Sequence, residues 1–271
     1  MKLKTEDYRF SLLTPAMIGG ALLGKGSNAE MRVASIRGQV RAWHRRAGLV
    51  PSPEVVWGKT DGGTLASKVG LSLLPGPQPT QTDAVILPHK GGTTRKAIPM
   101  GESFTLRLTR LVDCGNSHWE TAKKAVKLWL LLGGLGLRVN RAAGSVWPLD
   151  SPGEEPWVPA DEAGLKSLLL SLGYDKPVGL ADAAILRHRD LAREPSDALK
   201  LRRAASDTVS DRKYFGGIDP RKLSPLKMKV VRFGGHDYRI LLTGLSASDL
   251  IGARASLGAS KALGSVEWRC L

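Results

Sequence analysis

Arg37, Arg41, His44 and Arg45 recur along the stretch 34–46 at the period of one helix face, and their types point to anion chemistry. Guanidinium forks match phosphate oxygens bidentately. On the neighbouring face Ile36, Val40, Trp43 and Ala47 recur at i, i+4, i+7 and i+11, so the same helix offers an apolar side to a core. The plainer reading of any single Arg-rich helix is a solvated basic face.

Two glycine-rich stretches carry the other candidate residues. Before the helix, Gly19, Gly20, Gly24 and Gly26 surround Lys25, with Arg32 following. Backbone amides there could approach a phosphate closely beside two cations, although a flexible surface loop explains the composition equally well. The spacing around Lys25 is not that of a nucleotide P-loop, because Gly26 follows the lysine and Gly20 lies five residues before it. Farther on, Gly136, Arg138, Arg141, Gly144 and Ser145 combine exposed amides with two guanidinium groups. An alternative for Arg138 and Arg141 is to pair with the acidic stretch 150–162 and dock two domains. A third basic loop, with His89, Lys90, Arg95 and Lys96, reads either as a contact to a polyanion or as the mobile tip of a hairpin.

The whole chain bears out the anionic theme. Its 271 residues hold 40 Lys and Arg against 25 Asp and Glu, a formal charge of +15 and a pI near 10.1. A polyanionic partner follows from that balance. A membrane is the weaker choice, since the longest nearly apolar run, 126–137, is interrupted by Lys127 and is too short to span a bilayer. The first residues have no apolar core and no small-residue cleavage site, which leaves the cytoplasm as the expected compartment. Cys114 and Cys270, with the five histidines, never reach metal-ligand spacing, and no paired carboxylates offer acid–base work. Neither a metal nor a cofactor is expected.

The elements that must position these residues alternate in type. Residues 8–12 alternate as a strand ended by Pro15, the basic helix follows, and 68–73 alternate as a second strand. The stretch 51–64 reads as a Pro/Gly-punctuated connection and 75–83 as a loop. Residues 103–110 are the cleanest period-2 strand. Ser117 and Glu120 have capping-box spacing ahead of a second helix that Gly133 stops, and 139–147 can supply a fourth strand. This order predicts a βαββαβ unit. At 150–162 the composition turns acidic and proline-rich, which marks a domain boundary. Residues 165–205 read as two or three helices, and 225–230 and 238–242 as strands joined at Gly234–Gly235. Ser246 caps a helix running to about Leu263. Gly264-Ser265-Val266 echoes Gly144-Ser145-Val146, a faint internal duplication.

Thr14-Pro15, Gly19-Gly20 and Gly38-x-x-Arg41-x-Trp43 resemble the amino-terminal pattern of the RAMP superfamily of CRISPR RNA-binding proteins, most closely its first Cmr subunit family of type III-B effector complexes. Gly136-x-Arg138-x-x-Arg141-x-x-Gly144-Ser145 is similar to that family's glycine-rich loop, with Ala142 and Ala143 where glycine is usual in part. The likeness covers residues 8–147 well and the remainder in outline. It implies an α+β fold of two ferredoxin-like (RRM-like, βαββαβ) RAMP domains, 1–149 and a degenerate 150–271. It implies a non-catalytic subunit that contacts guide RNA, target RNA or both, beside other RAMP subunits. The RNA-binding set is then Lys25, Arg32, Arg37, Arg41, His44, Arg45, Gly136, Arg138, Arg141, Gly144 and Ser145. The alternative is a metal-independent RAMP-type endonuclease of CRISPR transcripts with His44 as general base.

Overall fold

The computed structural model describes residues 3–19, 28–86, 92–152, 156–176, 178–181, 198–203, 217–218, 221–222, 226–244 and 268–270. Strand β1 (Thr5–Leu12) leads to helix α1 (Val33–Ala47), a short helix α2 (Pro53–Trp57) and strand β2 (Val69–Leu73). A hairpin of β3 (Thr82–Val85) and β4 (Thr94–Ala97) precedes β5 (Ser103–Arg110), α3 (Asn116–Leu132) and β6 (Val146–Leu149). The first sheet runs β2-β5-β1-β6, antiparallel throughout. Alternation decides its faces: Tyr8, Phe10 and Leu12 of β1, with Leu106 and Leu108 of β5, are buried, while Arg9 and Arg107 between them are only half-buried.

Helices α1 and α3 cover the apolar side of this sheet. The apolar stripe of α1 is buried as the spacing predicts, at Ile36, Val40, Trp43 and Ala47. Trp129 of α3 meets Phe10 edge to face, ring centroids 5.4 Å apart, and Phe10 stacks on Phe104 at 5.6 Å. The start of α3 differs from expectation. Its N-cap is Gly115, with no side-chain cap, so the Ser117–Glu120 capping box does not form. Gly133 does end the helix, its amide donating to the Trp129 carbonyl at 2.7 Å.

After α4 (Glu162–Ser171), capped by Asp161 accepting from the Gly164 amide at 2.7 Å, comes β7 (Val178–Ala181). A two-residue pair, β8 (Gly217–Ile218) and β9 (Arg221–Lys222), precedes β10 (Lys227–Phe233), β11 (Asp237–Thr243) and β12 (Trp268–Cys270). The second sheet runs β10-β11-β7-β12, also antiparallel. Taken in chain order, its strands are arranged second, third, first, fourth, and so are those of the first sheet. The faint duplication in the sequence therefore has a topological counterpart. Residues 198–203 are helical. The expected helix at 246–263 and the Gly264-Ser265-Val266 echo lie outside the described residues.

Four further elements depart from expectation. The connection 51–64 contains α2. The end of the loop 75–83 is strand β3, which pairs with β4 and makes the basic stretch after it part of a hairpin, one of its two readings; His89 and Lys90 are outside the described residues. Strand β6 begins only at Val146, leaving 134–145 as an irregular segment. Strand β7 was expected to be helical. Its four residues find their partners in β11 and β12, tens of residues away, a long-range pairing that local periodicity does not report.

Candidate nucleic-acid interface

The segment 134–145 is organised by its contacts with the end of β1. Buried Thr14 donates from Oγ1 to the Ala142 carbonyl at 2.6 Å and accepts from the Ser145 amide at 3.0 Å. The Gly144 amide donates to the Pro15 carbonyl at 3.0 Å, and the Leu137 amide to the Met17 carbonyl at 3.0 Å. The other side of the segment meets the second sheet. The Ala142 amide donates to the Met228 carbonyl at 3.0 Å, the Met228 amide to the Asn140 carbonyl at 3.1 Å, and the Val230 amide to Ser145 Oγ at 3.0 Å. The glycine-rich loop is thus a knot tying β1 to β10.

That knot revises three expected contacts. Ser145 is 1% exposed and its hydroxyl both donates to Ala142 and accepts from Val230, so it holds the loop instead of facing a ligand. Gly144 is buried and its amide is already taken by Pro15. Gly136 (φ 88°) lies against the Met17 carbonyl, 2.7 Å from where a Cβ would stand. These glycines serve close packing of backbone on backbone, not an open cradle of amides.

Arg138 and Arg141 remain on the half-buried rim of the loop. Neither has a carboxylate partner among the described residues, and Arg138 Nε is buried without a hydrogen bond there. Burial, then the charge of Arg138, pushes the Arg141 guanidinium below its usual value. The acidic stretch is occupied elsewhere: Glu162 pairs with Arg239 at 3.3 Å, and Asp150 Oδ1 accepts from the Trp157 and Val158 amides at 3.0 and 3.2 Å. The docking alternative for the two arginines finds no contact among the described residues.

Three basic residues that the sequence analysis left out stand beside this rim. Lys227 donates to Asn140 Oδ1 at 2.9 Å and lies 5.9 Å from the Trp43 ring centroid; Arg46 lies 5.5 Å from the same ring. Lys229 is 3% exposed, caps the last turn of α3 by donating to the Leu130 carbonyl, and sits 5.4 Å from the Trp147 ring. Burial holds its ammonium well below the usual lysine range. The available signal was two lysines at period two, 227 and 229, inside an otherwise apolar strand.

Burial, then the charge of Arg46, lowers Lys227 to about 8. The unfolded chain keeps that proton up to about pH 10.4, so between these values it binds more protons than the native state and stability rises with pH. The contribution is complete above the unfolded value and lost as pH falls through the folded one. Lys227→Met is expected to abolish about 2 kcal/mol of that rise, allowing for screening on the solvent side. The measurement is the urea midpoint of both proteins at pH 7.5 and pH 10; identical pH dependence would show that Lys227 is solvated.

The basic face of α1 turns the other way. Gln39 and Trp43 face the crevice formed by Gly133, Gly134, Val139 and Lys227, whereas Arg37, Arg41 and Arg45 are turned toward α2. Arg37 donates to the Trp57 carbonyl, and burial, then Arg41, lowers its pKa. Arg45 pairs with Glu54 at 2.6 Å and Arg41 approaches the same carboxylate at 4.0 Å. Such exposed pairs are worth little and can yield to a phosphate. Arg32, half-buried at the N-cap of α1, makes no side-chain capping bond. Lys25 lies outside the described residues. The expected set therefore forms two groups, on the glycine-rich loop and on the α2 side of α1.

His44 belongs to neither. It is fully buried; Nδ1 accepts from Trp57 Nε1 at 2.9 Å, and Nε2 donates to the Pro51 carbonyl at 2.8 Å. Burial lowers its pKa, keeping the ring neutral. With both nitrogens engaged in the core, it has neither the exposure nor the free lone pair that a general base on RNA, or a phosphate contact, requires.

No family model and no curated protein sequence matches the chain. Solved structures do. Cmr1 from Pyrococcus furiosus, in its apo form, superposes with a TM-score of 0.59 at 16% identity, over 90% of this chain and 88% of that one. The chain shares the fold of Cmr1. A chain of the type III-B Cmr-beta complex bound to cognate target RNA superposes with a TM-score of 0.54 at 10% identity, over 95% of this chain and 99% of that one. A chain of the same complex with target RNA and AMPPnP gives 0.51 at 11% identity, over 90% and 94%. Within this Cmr1-type frame, Thr14-Pro15 and the glycine-rich loop, which carried the family resemblance, are the two halves of one knot. No helix among the described residues is long and apolar enough to cross a membrane.

Proposed function

We propose that this protein is a non-catalytic, RNA-binding subunit of a type III CRISPR ribonucleoprotein, working in the cytoplasm in antiviral defence beside other RAMP subunits. It is built of two ferredoxin-like RAMP units, 1–149 and a degenerate 150–271, a reading supported by the strand order common to the two sheets. Guide RNA, target RNA or both are held by backbone phosphates. The observation that carries this is the cationic rim of the glycine-rich loop, where Arg138 and Arg141 lack a carboxylate among the described residues and Arg46 and Lys227 stand close by. Unpaired guanidinium groups on a rigid knot repel one another until an anion arrives, and a phosphodiester matches their geometry. Arg32, Arg41 and Arg45 belong to a second cationic group on the α2 side of α1, which the same RNA would reach separately, and Lys25 is assigned to it from the sequence. The endonuclease alternative is weakened by the burial of His44.

Phosphate contacts predict affinity that falls steeply with salt and depends little on base sequence. Each neutralised phosphate of a single strand contributes about −0.7 to the slope of log affinity against log salt. Arg138→Ala with Arg141→Ala is expected to flatten that slope by roughly one unit on unrelated RNA sequences. Fluorescence anisotropy at several salt concentrations measures it. An unchanged slope with lowered thermal stability would mean that the two arginines serve the fold and not the RNA.

A further inference from the structure

A cleft of about 880 Å³ opens beside the first sheet, outside the sites described above. One wall is the segment Pro75-Gly-Pro-Gln-Pro79; the other is Asn28–Met31. Both walls are fixed. The first is held at its ends by the Leu74 amide on the Thr105 carbonyl at 2.9 Å and by Thr80 Oγ1 on Glu102 at 2.8 Å. The second is clamped by Gln81, whose amide group accepts from the Ala29 amide at 2.9 Å and donates to the Ala29 carbonyl at 3.0 Å. Three prolines stiffen the span between the pinned ends. A pocket preformed in this way spends little ordering entropy on a ligand.

The lining is amphipathic. Half-buried Phe104 and Leu73 supply apolar surface, while exposed Asn28 and Gln78 supply amide donors and acceptors. Arg9 adds a guanidinium, tethered through Nη1 to the Asp150 carbonyl at 3.2 Å. An unstacked nucleobase has that character, two apolar faces and a polar edge, and proteins take up such bases on aromatic or guanidinium planes and read the edge with side-chain amides. The cleft is linked through Ile18 to the glycine-rich loop. The Glu30 amide donates to the Ile18 carbonyl at 3.4 Å, and Ile18 lies 3.2 Å from the Cβ position of Gly136, two residues from Arg138.

We infer that this cleft receives an unpaired base of the RNA strand whose phosphates lie on the Arg138/Arg141 rim. The inference rests on the RNA-binding reading, and the test separates the two. Anisotropy is measured for uniform oligouridylate and oligoadenylate and for an abasic ribose-phosphate strand of equal length. The full-length protein is expected to bind the base-bearing strands about tenfold more tightly, with one salt slope for all three, since contacts to the base, stacking and amide hydrogen bonds together, add a salt-independent increment. Asn28→Ala with Gln78→Ala, both at exposed positions, should bring the ratio toward one and leave the slope unchanged. Equal affinity for abasic and base-bearing strands in the wild type, or a ratio that survives the double substitution, overturns the cleft and leaves phosphate binding standing. Failure to bind any strand overturns both.

Discussion

Gly144→Ala is expected to cost more than about 4 kcal/mol, enough to leave the chain largely unfolded under ordinary conditions. Gly144 has φ 60°, a region unfavourable to side chains, but the larger obstacle is space. A Cβ there would lie 1.9 Å from the Leu135 carbonyl oxygen and 3.3 Å from Ala16 Cβ. No flexible side chain can give way, because the obstacle is main chain held at both ends. Leu135 donates its amide to the Gly144 carbonyl at 2.8 Å, and the Gly144 amide is bonded to Pro15. Relieving the clash breaks these bonds and pulls Ser145 away from Thr14 and Val230, leaving buried polar groups unsatisfied. Gly38→Ala is the control. It is exposed on α1, nothing lies within 4 Å of its Cβ position, and alanine there should be stabilising by about 0.5–1 kcal/mol. Urea unfolding of both variants measures the contrast. A Gly144→Ala protein within 1 kcal/mol of wild type would mean that the knot is open in solution.

The knot also marks how far the sequence could be read. The buried stripe of α1 was legible because helix periodicity is local: Ile36, Val40, Trp43 and Ala47 all lie where the spacing puts them. Strands β1, β5, β10 and β11 were legible for the same reason at period two. Roles decided by distant partners were not. His44 lies at the border between apolar stripe and cationic face, and only the arrival of Trp57 and Pro51 takes it into the core. Ser145 reads as a loop hydroxyl until Thr14 and Val230, far away in the chain, enclose it. The capping-box spacing at Ser117 is real, but α3 begins one residue earlier and satisfies its end differently. Arg138 and Arg141 stand on the half-buried rim of the glycine-rich loop, whereas the physical purpose of the glycines differs from the expected one. They bring β1, the loop and β10 into backbone contact, and so set the platform on which Arg138 and Arg141 stand.

Electrostatics divides the cations by cost. Lys229, sealed beneath Trp147, and Lys227, half-buried beside Trp43, carry the desolvation, while Arg41 and Arg45 remain in water with Glu54. Only the second kind can be exchanged with a ligand at low cost. The rim arginines lie between the extremes, half-buried and uncompensated by acid among the described residues. For this reason the salt slope is expected to respond to them more than to the α1 pair.

Trp43→Ala should destabilise the protein by about 3–5 kcal/mol, the range for truncating a buried tryptophan. The ring is 1% exposed and works in two directions. Toward the first sheet it belongs to the apolar stripe of α1; on its other side it lies 6.3 Å from the Tyr174 ring and within 5.9 Å of the Lys227 ammonium. Its indole Nε1 stands 2.6 Å from the Cβ position of Gly133, so the end of α3 is fitted around it. Alanine leaves a cavity at this junction and removes the aromatic face from Arg46 and Lys227, two cations already short of solvent. Arg41→Ala is the comparison on the opposite side of the helix. Its contact with Glu54 is 4.0 Å long and exposed, so its loss should change stability by no more than about 0.5 kcal/mol. Arg37 is unsuited to that comparison because it bonds the Trp57 carbonyl. Equilibrium unfolding in urea, with the slope checked for a change in surface exposed, measures the pair. Equal losses for Trp43→Ala and Arg41→Ala would reverse the assignment of the two faces of α1 and, with it, the separation of core from the proposed RNA surface.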